Sequence, residues 1–567
     1  MTKDSILLSL PEEVIENTLK FIPDDDSALL DISLVCKKLY RLSNSPLEWR
    51  ARCRRFRYWE PRHEYQKKVK HPLPAEVDWR SLFIERIYSY KRTTMLLNEI
   101  ISSPVDRINK FNKIADLGYD AKDCLAEHAN ASDDVEDVLA RRWYTAAAIH
   151  YIHRRRAIIG WKRLAAGEDI SLEYALGCFE LFILKTPEGD IDDISRILDE
   201  LAARFKSETA NFADMSTKAK ALALCTYMNR EGFRGAPHES YRALKNAFIG
   251  VSLRTERTNL PLTAAAIYCS LATRIGLAAY PCGFPYHVLA IVRNEDGKYI
   301  YLDPFRGEGN ELPVQGLERQ LSEFGVGATK DEFLRPSPTI DIVLRTSRNI
   351  LESLRRAPGP PDIQQEAIEI DRHSALYAAL TASVLLGPRT TFNVVQHIAR
   401  LIQDEYSMDV RFFEEDIVPK LEDSNARGLL LKVCGALRAE DTAQRPVSRR
   451  ENSDENSVRY RVGTVFVHKR YPFQGVVFGW SRMCAPIEGE EWIKNMGYDS
   501  LNRGRHQPFY HALVMDGSVR YVAEENIVVS QTDPVESLRK LAGQYFKRYS
   551  KAERMFISNI RDEYPDD

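Results

Sequence analysis

The chain has 567 residues, several times the usual length of one domain, so we expect two to four folded units. Hydrophobic residues make up 44% and charged residues 28% of the chain, a balance that excludes a protein disordered throughout. Lys and Arg total 79 against 81 Asp and Glu, a net charge of -2. This balance excludes a nucleic-acid or membrane binder that works through its overall charge.

Membrane spans, metal sites and cofactor motifs are not indicated. No apolar run approaches the ~18–20 residues that cross a bilayer, and residues 6–10 are too short for a secretory signal. The nine cysteines are scattered and never spaced as C-x-x-C, and phosphate-binding glycine motifs and H-E-x-x-H are absent. We therefore expect reduced thiols in a cytoplasmic or nuclear protein, with no membrane association, no metal and no cofactor.

The first 50 residues show a compact helical pattern. Leu10 and Pro11 precede two glutamates, which is typical of a helix start, and apolar residues then recur at helical spacing. So small a module cannot bury all of this apolar surface internally, so a partner surface is the expected destination for the rest.

The segments L-P-E-E-V-I-E-N-T-L-K-F-I-P, S-L-V-C-K-K-L-Y-R-L and P-L-E-W-R resemble an F-box, and we assign residues 5–55 to this module. The resemblance implies docking on the Skp adaptor of a cullin–RING ubiquitin ligase. The alternative is an ordinary helical subdomain that packs on the rest of the chain. The residues matched to the docking motif are Leu10, Pro11, Ile15, Leu19, Leu34, Val35, Cys36, Leu39, Tyr40 and Trp49.

Residues 60–164 predict a helical linker domain. The sequence pattern changes after residue 258. Pro261 predicts the first position of a helix that ends near Gly276. Two β-like runs joined by an Asn-Glu-Asp-Gly turn then predict a hairpin, with His287 before one strand and Asp303 after the next. A helix start followed by His and Asp is the layout of a papain-like Cys-His-Asp site.

Residues 165–350 resemble the SirB-type transglutaminase-like domain, through R-T-N-L-P-L-T-A-A-A-I-Y, F-P-Y-H-V-L-A-I-V and Y-I-Y-L-D-P-F. The position where an active relative carries its nucleophile reads Pro261-Leu262-Thr263, without cysteine. Cys269 lies farther along the helix and Cys282 lies beyond it. We therefore interpret the histidine and aspartate as vestigial, either bracing the fold or binding a ligand, in a domain that is not an enzyme.

The remainder of the chain divides into four predicted parts. Residues 351–440 predict a helical, repeat-like extension, and the polar residues 441–457 a flexible linker. Short strands with glycine at the bends predict a small β-barrel over residues 458–530. Residues 531–567 predict a C-terminal helix.

The segments V-G-T-V-F-V-H-K-R-Y, G-V-V-F-G-W, H-Q-P-F-Y-H-A-L-V and Y-V-A-E-E-N-I resemble the YccV/HspQ family, which is described as hemimethylated-DNA-binding. Residues 458–529 contain nine Lys or Arg against seven Asp or Glu, a small excess for a phosphate-binding surface. We therefore favour protein recognition by this domain, with DNA binding as the alternative. The candidate substrate-binding or DNA-binding residues are His468, Arg470, Tyr471, Trp480, Gln507, Tyr510, His511, Glu524, Glu525 and Asn526.

The combined prediction is a multidomain chain, mainly α with α+β parts: an N-terminal helical F-box, a helical and transglutaminase-like α+β core, and a C-terminal small β-barrel. The order of modules is similar to F-box proteins of this three-domain type. That resemblance implies a substrate-recognition subunit of an SCF-type ubiquitin ligase, with the Skp adaptor, the cullin–RING complex and a protein substrate as partners. Two alternatives stay open, a DNA-binding protein and a cysteine protease or transglutaminase-like hydrolase.

Overall fold

The protein is described by a computed structural model that divides into two compact units. The first unit contains residues 1–149 and 441–567, and the second contains residues 150–440. The described residues are 6–22, 26–184, 190–307, 310–325, 330–355, 370–450, 458–484, 501–559 and 563–567.

Helices account for most of the described chain, so the predicted mainly helical, multidomain fold with α+β parts is confirmed. The helices are α1 (Glu12–Leu19), α2 (Asp26–Val35), α3 (Lys37–Ser43), α4 (Pro46–Cys53), α5 (Tyr65–Val69), α6 (Trp79–Ser102), α7 (Arg107–Asp116), α8 (Lys122–Ala129), α9 (Val138–Ala165), α10 (Leu172–Ile183), α11 (Ile191–Glu208), α12 (Thr217–Arg230), α13 (Ile249–Arg254), α14 (Pro261–Arg274), α15 (Val314–Glu323), α16 (Lys330–Phe333), α17 (Thr339–Arg355), α18 (Arg372–Leu386), α19 (Phe392–Asp404), α20 (Val410–Phe412), α21 (Ser424–Thr442) and α22 (Glu536–Ala542).

The strands are short and fall into separate small sheets. They are β1 (Arg234–Gly235), β2 (Thr258–Asn259), β3 (Ala279–Cys282), β4 (Leu289–Arg293), β5 (Tyr299–Leu302), β6 (Glu311–Leu312), β7 (Val465–His468), β8 (Gln474–Ser481), β9 (Phe509–Val514), β10 (Val519–Ala523), β11 (Ile527–Val529), β12 (Phe546–Ser550) and β13 (Met555–Ser558).

In the first unit, helices α1 to α4 share one hydrophobic core with the start of α6. Trp49 and Phe83 pack with ring centroids 5.3 Å apart. Arg52 is buried at the centre of the module, where Nη2 donates to the Leu19 carbonyl at 2.8 Å and Nε donates to Glu48 at 3.2 Å. The first of these bonds satisfies a carbonyl group at the end of α1 that has no partner inside the helix. The arginine therefore fixes α1 against α4.

The C-terminal part of the first unit is built on a five-stranded antiparallel sheet. The strand order is β10-β9-β8-β7-β11. Among the described residues, β10 and β11 are therefore the two edge strands. The side chains of Phe466, Val476 and Leu513 are buried in a common core. Consecutive residues are buried in β7 (Val465 and Phe466) and in β8 (Val476 and Val477), so both faces of these two strands are covered.

The predicted C-terminal helix over residues 531–567 is wrong for most of its length. Helix α22 ends at Ala542, and β12 and β13 then form an antiparallel hairpin. A side chain at Gly543 would lie 2.2 Å from the carbonyl oxygen of Leu139, which explains the glycine there. The hairpin buries Phe546 and Phe556 in the core of the sheet domain. Burial of these aromatic side chains on one face of a hairpin decides the structure of this segment.

The predicted flexible linker over 441–457 is also corrected in its described part, while residues 451–457 lie outside the described residues. Asp441 belongs to α21 and accepts hydrogen bonds from the backbone of Arg107 and Ile108, both at 3.0 Å, at the start of α7. Arg450 donates to the carbonyls of Val458 and Tyr460 at 2.7 and 2.8 Å. Specific hydrogen bonds therefore fix both ends of residues 441–450.

The second unit encloses α14, whose residues from Pro261 to Ala272 are all buried. Beside it lies the antiparallel sheet β3-β4-β5-β6. The predicted helix start and hairpin are both observed, since Leu260 is the N-cap and β4 pairs with β5 across the turn at Gly297. The described residues of the predicted extension, 351–355 and 370–440, are helical apart from short connections. Among the described residues, no helix is both long and apolar enough to cross a membrane.

Candidate functional site

The first candidate site is the surface at the junction of α2 and α3. Leu34 and Val35 end α2 and are 81% and 69% exposed, and Tyr40 in α3 is 56% exposed. Cys36 is in an extended conformation between the two helices and is half-buried. Leu34 and Val35 are adjacent exposed apolar residues, and Tyr40 adds an exposed aromatic ring from the next helix. We call Leu34, Val35 and Tyr40 the docking surface.

The other predicted docking residues have a different position. Leu10 is half-buried against the core of the module, and Pro11 is exposed at the start of α1. Four of the ten predicted residues are buried inside the module and support it from within; they are Ile15, Leu19, Leu39 and Trp49. Sequence matching did not separate these two groups, and it missed Phe21, which is 86% exposed just after α1.

The second candidate site is the pair predicted from the papain-like layout. His287 precedes β4, Asp303 follows β5, and the hairpin brings His287 Nε2 to 2.9 Å from Asp303 Oδ2. The backbone N–H of Phe305 donates to Asp303 Oδ1 at 3.1 Å, and its ring lies edge-on to the imidazole at 5.4 Å. Arg306 Nε approaches the same carboxylate at 3.3 Å. The structure therefore brings together the histidine and the aspartate that the sequence predicted.

The start of α14 carries no thiol beside this pair. Thr263 is buried, and its hydroxyl donates to the carbonyl of Asn246 at 3.0 Å. Cys269 is buried within the helix, and burial raises the pKa of its thiol. Cys282 donates to the carbonyl of Phe333 at 3.0 Å, and burial raises its pKa to about 12. Since the thiolate is the reactive form, a raised pKa disfavours nucleophilic attack by either thiol.

The third candidate site is the set predicted in the C-terminal sheet domain, and most of it forms internal hydrogen bonds. Tyr510 is fully buried; its hydroxyl donates to Glu524 at 2.8 Å and accepts the backbone N–H groups of Arg459 and Tyr460. Trp480 is also buried, and its indole N–H donates to Asp567 at 2.8 Å. These hydrogen bonds connect β9 to Arg459 and Tyr460, and β8 to Asp567.

A second internal group involves Gln507 and Glu525. The carboxylate of Glu525 accepts the backbone N–H groups of Asn502 and Arg503, both at 3.0 Å, and Gln507 donates to it at 3.2 Å. Asn526 is buried, and its carbonyl accepts the backbone N–H of Lys469. These contacts order the loop that precedes β9. The side chains of Gln507 and Glu525 are therefore engaged within the domain.

Three of the remaining candidates share one short turn. His468 Nδ1 accepts the backbone N–H groups of Arg470 and Tyr471, both at 3.1 Å, while those two side chains are exposed. Burial and the nearby Arg470 and Arg520 lower the pKa of His468. The last candidate, His511, is half-buried against Tyr521, and burial lowers its pKa. Both imidazoles are thus disfavoured as cations.

One group has the composition of a metal site, although none was predicted. Potential ligand atoms of His63, Glu85 and Asp120 all lie within 4.8 Å of one another. The carboxylate of Asp120 is already paired with two cations, Arg62 Nη2 at 2.6 Å and Arg86 Nη1 at 3.3 Å. A metal ion would be repelled by these guanidinium groups, so the cluster fits a structural ion-pair network.

Comparisons with known proteins agree with this arrangement of modules. The family model described as "F-box domain" matches residues 7–51, "Transglutaminase-like superfamily" matches residues 192–348, and "Hemimethylated DNA-binding protein YccV like" matches residues 458–553. F-box only protein 21 of Homo sapiens is 23% identical over 629 residues, which cover 99% of this chain and 92% of the relative. The chain is similar to F-box only protein 21 along almost its whole length. The predicted order of modules is therefore confirmed.

The other relatives support the same conclusion. F-box only protein 21 of Pongo abelii is 24% identical over 99% of this chain and 92% of its own length. The protein of that name from Mus musculus is 26% identical over 76% of this chain and 72% of its own length. No solved structure matches the chain. The YccV-like match extends beyond the predicted end at residue 530 and includes β12, in agreement with the hairpin found there.

Thiol labelling tests the state of the cleft cysteines. In the native protein at pH 8, we expect iodoacetamide to alkylate the partly exposed Cys36 and Cys484 at least tenfold faster than the buried Cys269 and Cys282. Peptide mass spectrometry after timed quenching measures each rate, and labelling in denaturant is the control for intrinsic reactivity. Rapid alkylation of Cys269 or Cys282 would support the hydrolase alternative.

Proposed function

We propose that the chain is the substrate-recognition subunit of an SCF-type cullin–RING ubiquitin ligase. The observation that carries this proposal is the docking surface of Leu34, Val35 and Tyr40, which lies within the segment matched by the F-box model. Large apolar side chains grouped on a protein surface are typical of an interface. The Skp adaptor is the partner that an F-box implies.

The docking surface lies over a packed hydrophobic core. The buried core beneath it contains Leu39 and Leu42 of α3 and extends to Trp79 and Phe83 of α6. A rigid surface loses little conformational entropy when a partner binds, so more of the apolar contact contributes to affinity. The module is therefore suited to hold an adaptor in one orientation.

The transglutaminase-like domain is proposed to bind without catalysis. The start of α14 offers Pro261, Leu262 and a threonine hydroxyl that is bonded to a backbone carbonyl. In this proposal the chemistry of ubiquitin transfer belongs to the RING protein and the charged E2 enzyme, and this chain contributes proximity and orientation. The nine free cysteines suit a reducing compartment, the cytoplasm or the nucleus.

The C-terminal domain is proposed to recognise protein rather than DNA. Most of the polar candidate residues in this domain form hydrogen bonds within it, such as the bond from Tyr510 to Glu524. Arg503 is likewise paired with Glu524 at 3.0 Å and Arg520 with Asp516 at 3.4 Å, which removes cations from a phosphate-binding surface. DNA binding would instead appear as an affinity that falls steeply with salt, measurable by fluorescence anisotropy on hemimethylated duplex.

Size-exclusion chromatography with light scattering tests the proposed assembly. Purified chain mixed with the Skp adaptor should elute as a 1:1 complex, and addition of the cullin–RING pair should shift the complex to higher mass. A chain that elutes separately from the adaptor at micromolar concentrations would contradict the proposal. In that case the helical module would be an internal part of the first unit.

A further inference from the structure

A cavity of about 340 Å³ lies at the start of α14, beside the pair of His287 and Asp303. The two neighbours of the histidine, Tyr286 and Val288, both contribute to its wall. Leu260 and Leu262 form a buried apolar part of the lining. The cavity thus adjoins the start of α14 and the residues on either side of His287, while the imidazole and Asp303 lie outside its lining.

Three arginines face this cavity: Arg242, Arg345 and Arg348. None of the described lining residues is acidic, and no described carboxylate forms an ion pair with any of the three within 4.0 Å. Arg345 is half-buried and donates to the carbonyl of Gly283 at 3.2 Å. Burial lowers its pKa, and repulsion from Arg348 lowers it further. Like charges held together without a counter-charge form a site that an anion would stabilise.

The N-terminus of α14 adds a further positive potential. Its first turn contains no acidic residue and no side chain that caps the backbone N–H groups. The N-terminal end of a helix carries a partial positive charge, so it reinforces the field of the arginines. Tyr286 stands at the rim, 84% exposed and with φ of 63°, a conformation that is costly for a tyrosine.

From this geometry we propose that the cavity binds the phosphate group of a phosphorylated side chain on a protein substrate. Planar guanidinium groups bind phosphate oxygens in pairs, and a cavity of this volume accommodates one modified side chain rather than a folded partner. The inference rests on the proposed role as a substrate receptor, because that role supplies the protein that presents the phosphate. It adds the chemistry by which a substrate would be selected.

Calorimetric titration with model compounds tests the site in the full chain. The probes are N-acetyl-phosphoserine methylamide, the same compound without phosphate, and inorganic phosphate. We expect measurable binding of the phosphoserine compound, no binding of the serine compound, and at least tenfold weaker binding of the phosphoserine compound by Arg345→Gln/Arg348→Gln. Arg348→Gln alone removes an exposed side chain and keeps the proposal testable if the double variant does not fold.

The matched control is Arg319→Gln/Arg355→Gln, which removes the same charge from exposed positions on α15 and α17 outside the cavity. This control should bind like the wild type. Equal binding by the cavity variants, or equal affinity for the serine compound, would overturn the proposal. If inorganic phosphate binds as tightly as the phosphoserine compound, the claim that the phosphate belongs to a protein side chain is wrong. Adaptor binding by the same variants is measured separately, so failure here is distinguishable from failure of the ligase proposal.

Discussion

Replacing Asp409 with alanine should destabilise the second unit by about 3–5 kcal/mol, because it leaves a buried guanidinium without its counter-charge. Arg154 donates to both carboxylate oxygens of Asp409, from Nε at 2.6 Å and from Nη2 at 2.7 Å. The hydroxyl of Tyr377 donates to the same carboxylate at 2.9 Å. All three side chains are buried. Burial alone lowers the pKa of Arg154, but the attraction of Asp409 outweighs it and raises the pKa.

Hydrogen exchange under increasing denaturant measures this loss locally, in peptides from α18. Asp404→Ala is the matched control, because that carboxylate is exposed on α19, and its effect should stay within about 0.5 kcal/mol. The double variant Arg154→Met/Asp409→Leu replaces both charges and should be more stable than Asp409→Ala. Asp409→Ala with wild-type exchange would show that the ion pair does not stabilise this unit.

Replacing Leu34 and Val35 with aspartate should weaken adaptor binding at least 100-fold. Both side chains are exposed in the free chain, so the double variant should fold normally. Two carboxylates in an apolar interface would lose their hydration without gaining a partner, and a 100-fold loss corresponds to only about 2.7 kcal/mol. Surface plasmon resonance on immobilised adaptor measures the change.

Val528→Asp/Val529→Asp is the matched control for this variant. These two valines are also adjacent, apolar and about half exposed, on the edge strand β11. The control should bind the adaptor like the wild type. Leu10→Ala is a less selective test, because Leu10 packs against the core of the module and its loss would disturb the whole surface. Wild-type affinity in the Leu34/Val35 variant would place the interface elsewhere.

Local signals made parts of this fold predictable from sequence. Pro261 at the first position of α14 and the turn ending at Gly297 specify a helix start and a hairpin through backbone geometry alone. The pairing of His287 with Asp303 follows from that hairpin. Each of these features depends on neighbours a few positions away in the chain.

Features that depend on distant partners were not predictable in the same way. Arg154 lies in the segment predicted only as a helical linker domain, and its partner Asp409 lies 255 positions along the chain. The hairpin after Gly543 forms because its aromatic residues are buried in a core built by earlier strands. The residues matched to the F-box motif also include both buried and exposed side chains. A sequence motif contains the residues that form the core of a module as well as those on its surface. Burial is a property of the assembled fold.

Amide hydrogen exchange of the full chain, with and without the Skp adaptor, tests the central claim most directly. We expect binding to protect peptides within residues 26–53, which contain α2, α3 and α4, and to leave β7 to β11 unchanged. Protection confined to other parts of the chain, or no protection under saturating adaptor, would contradict the assignment of this chain as a ligase subunit that docks through its F-box.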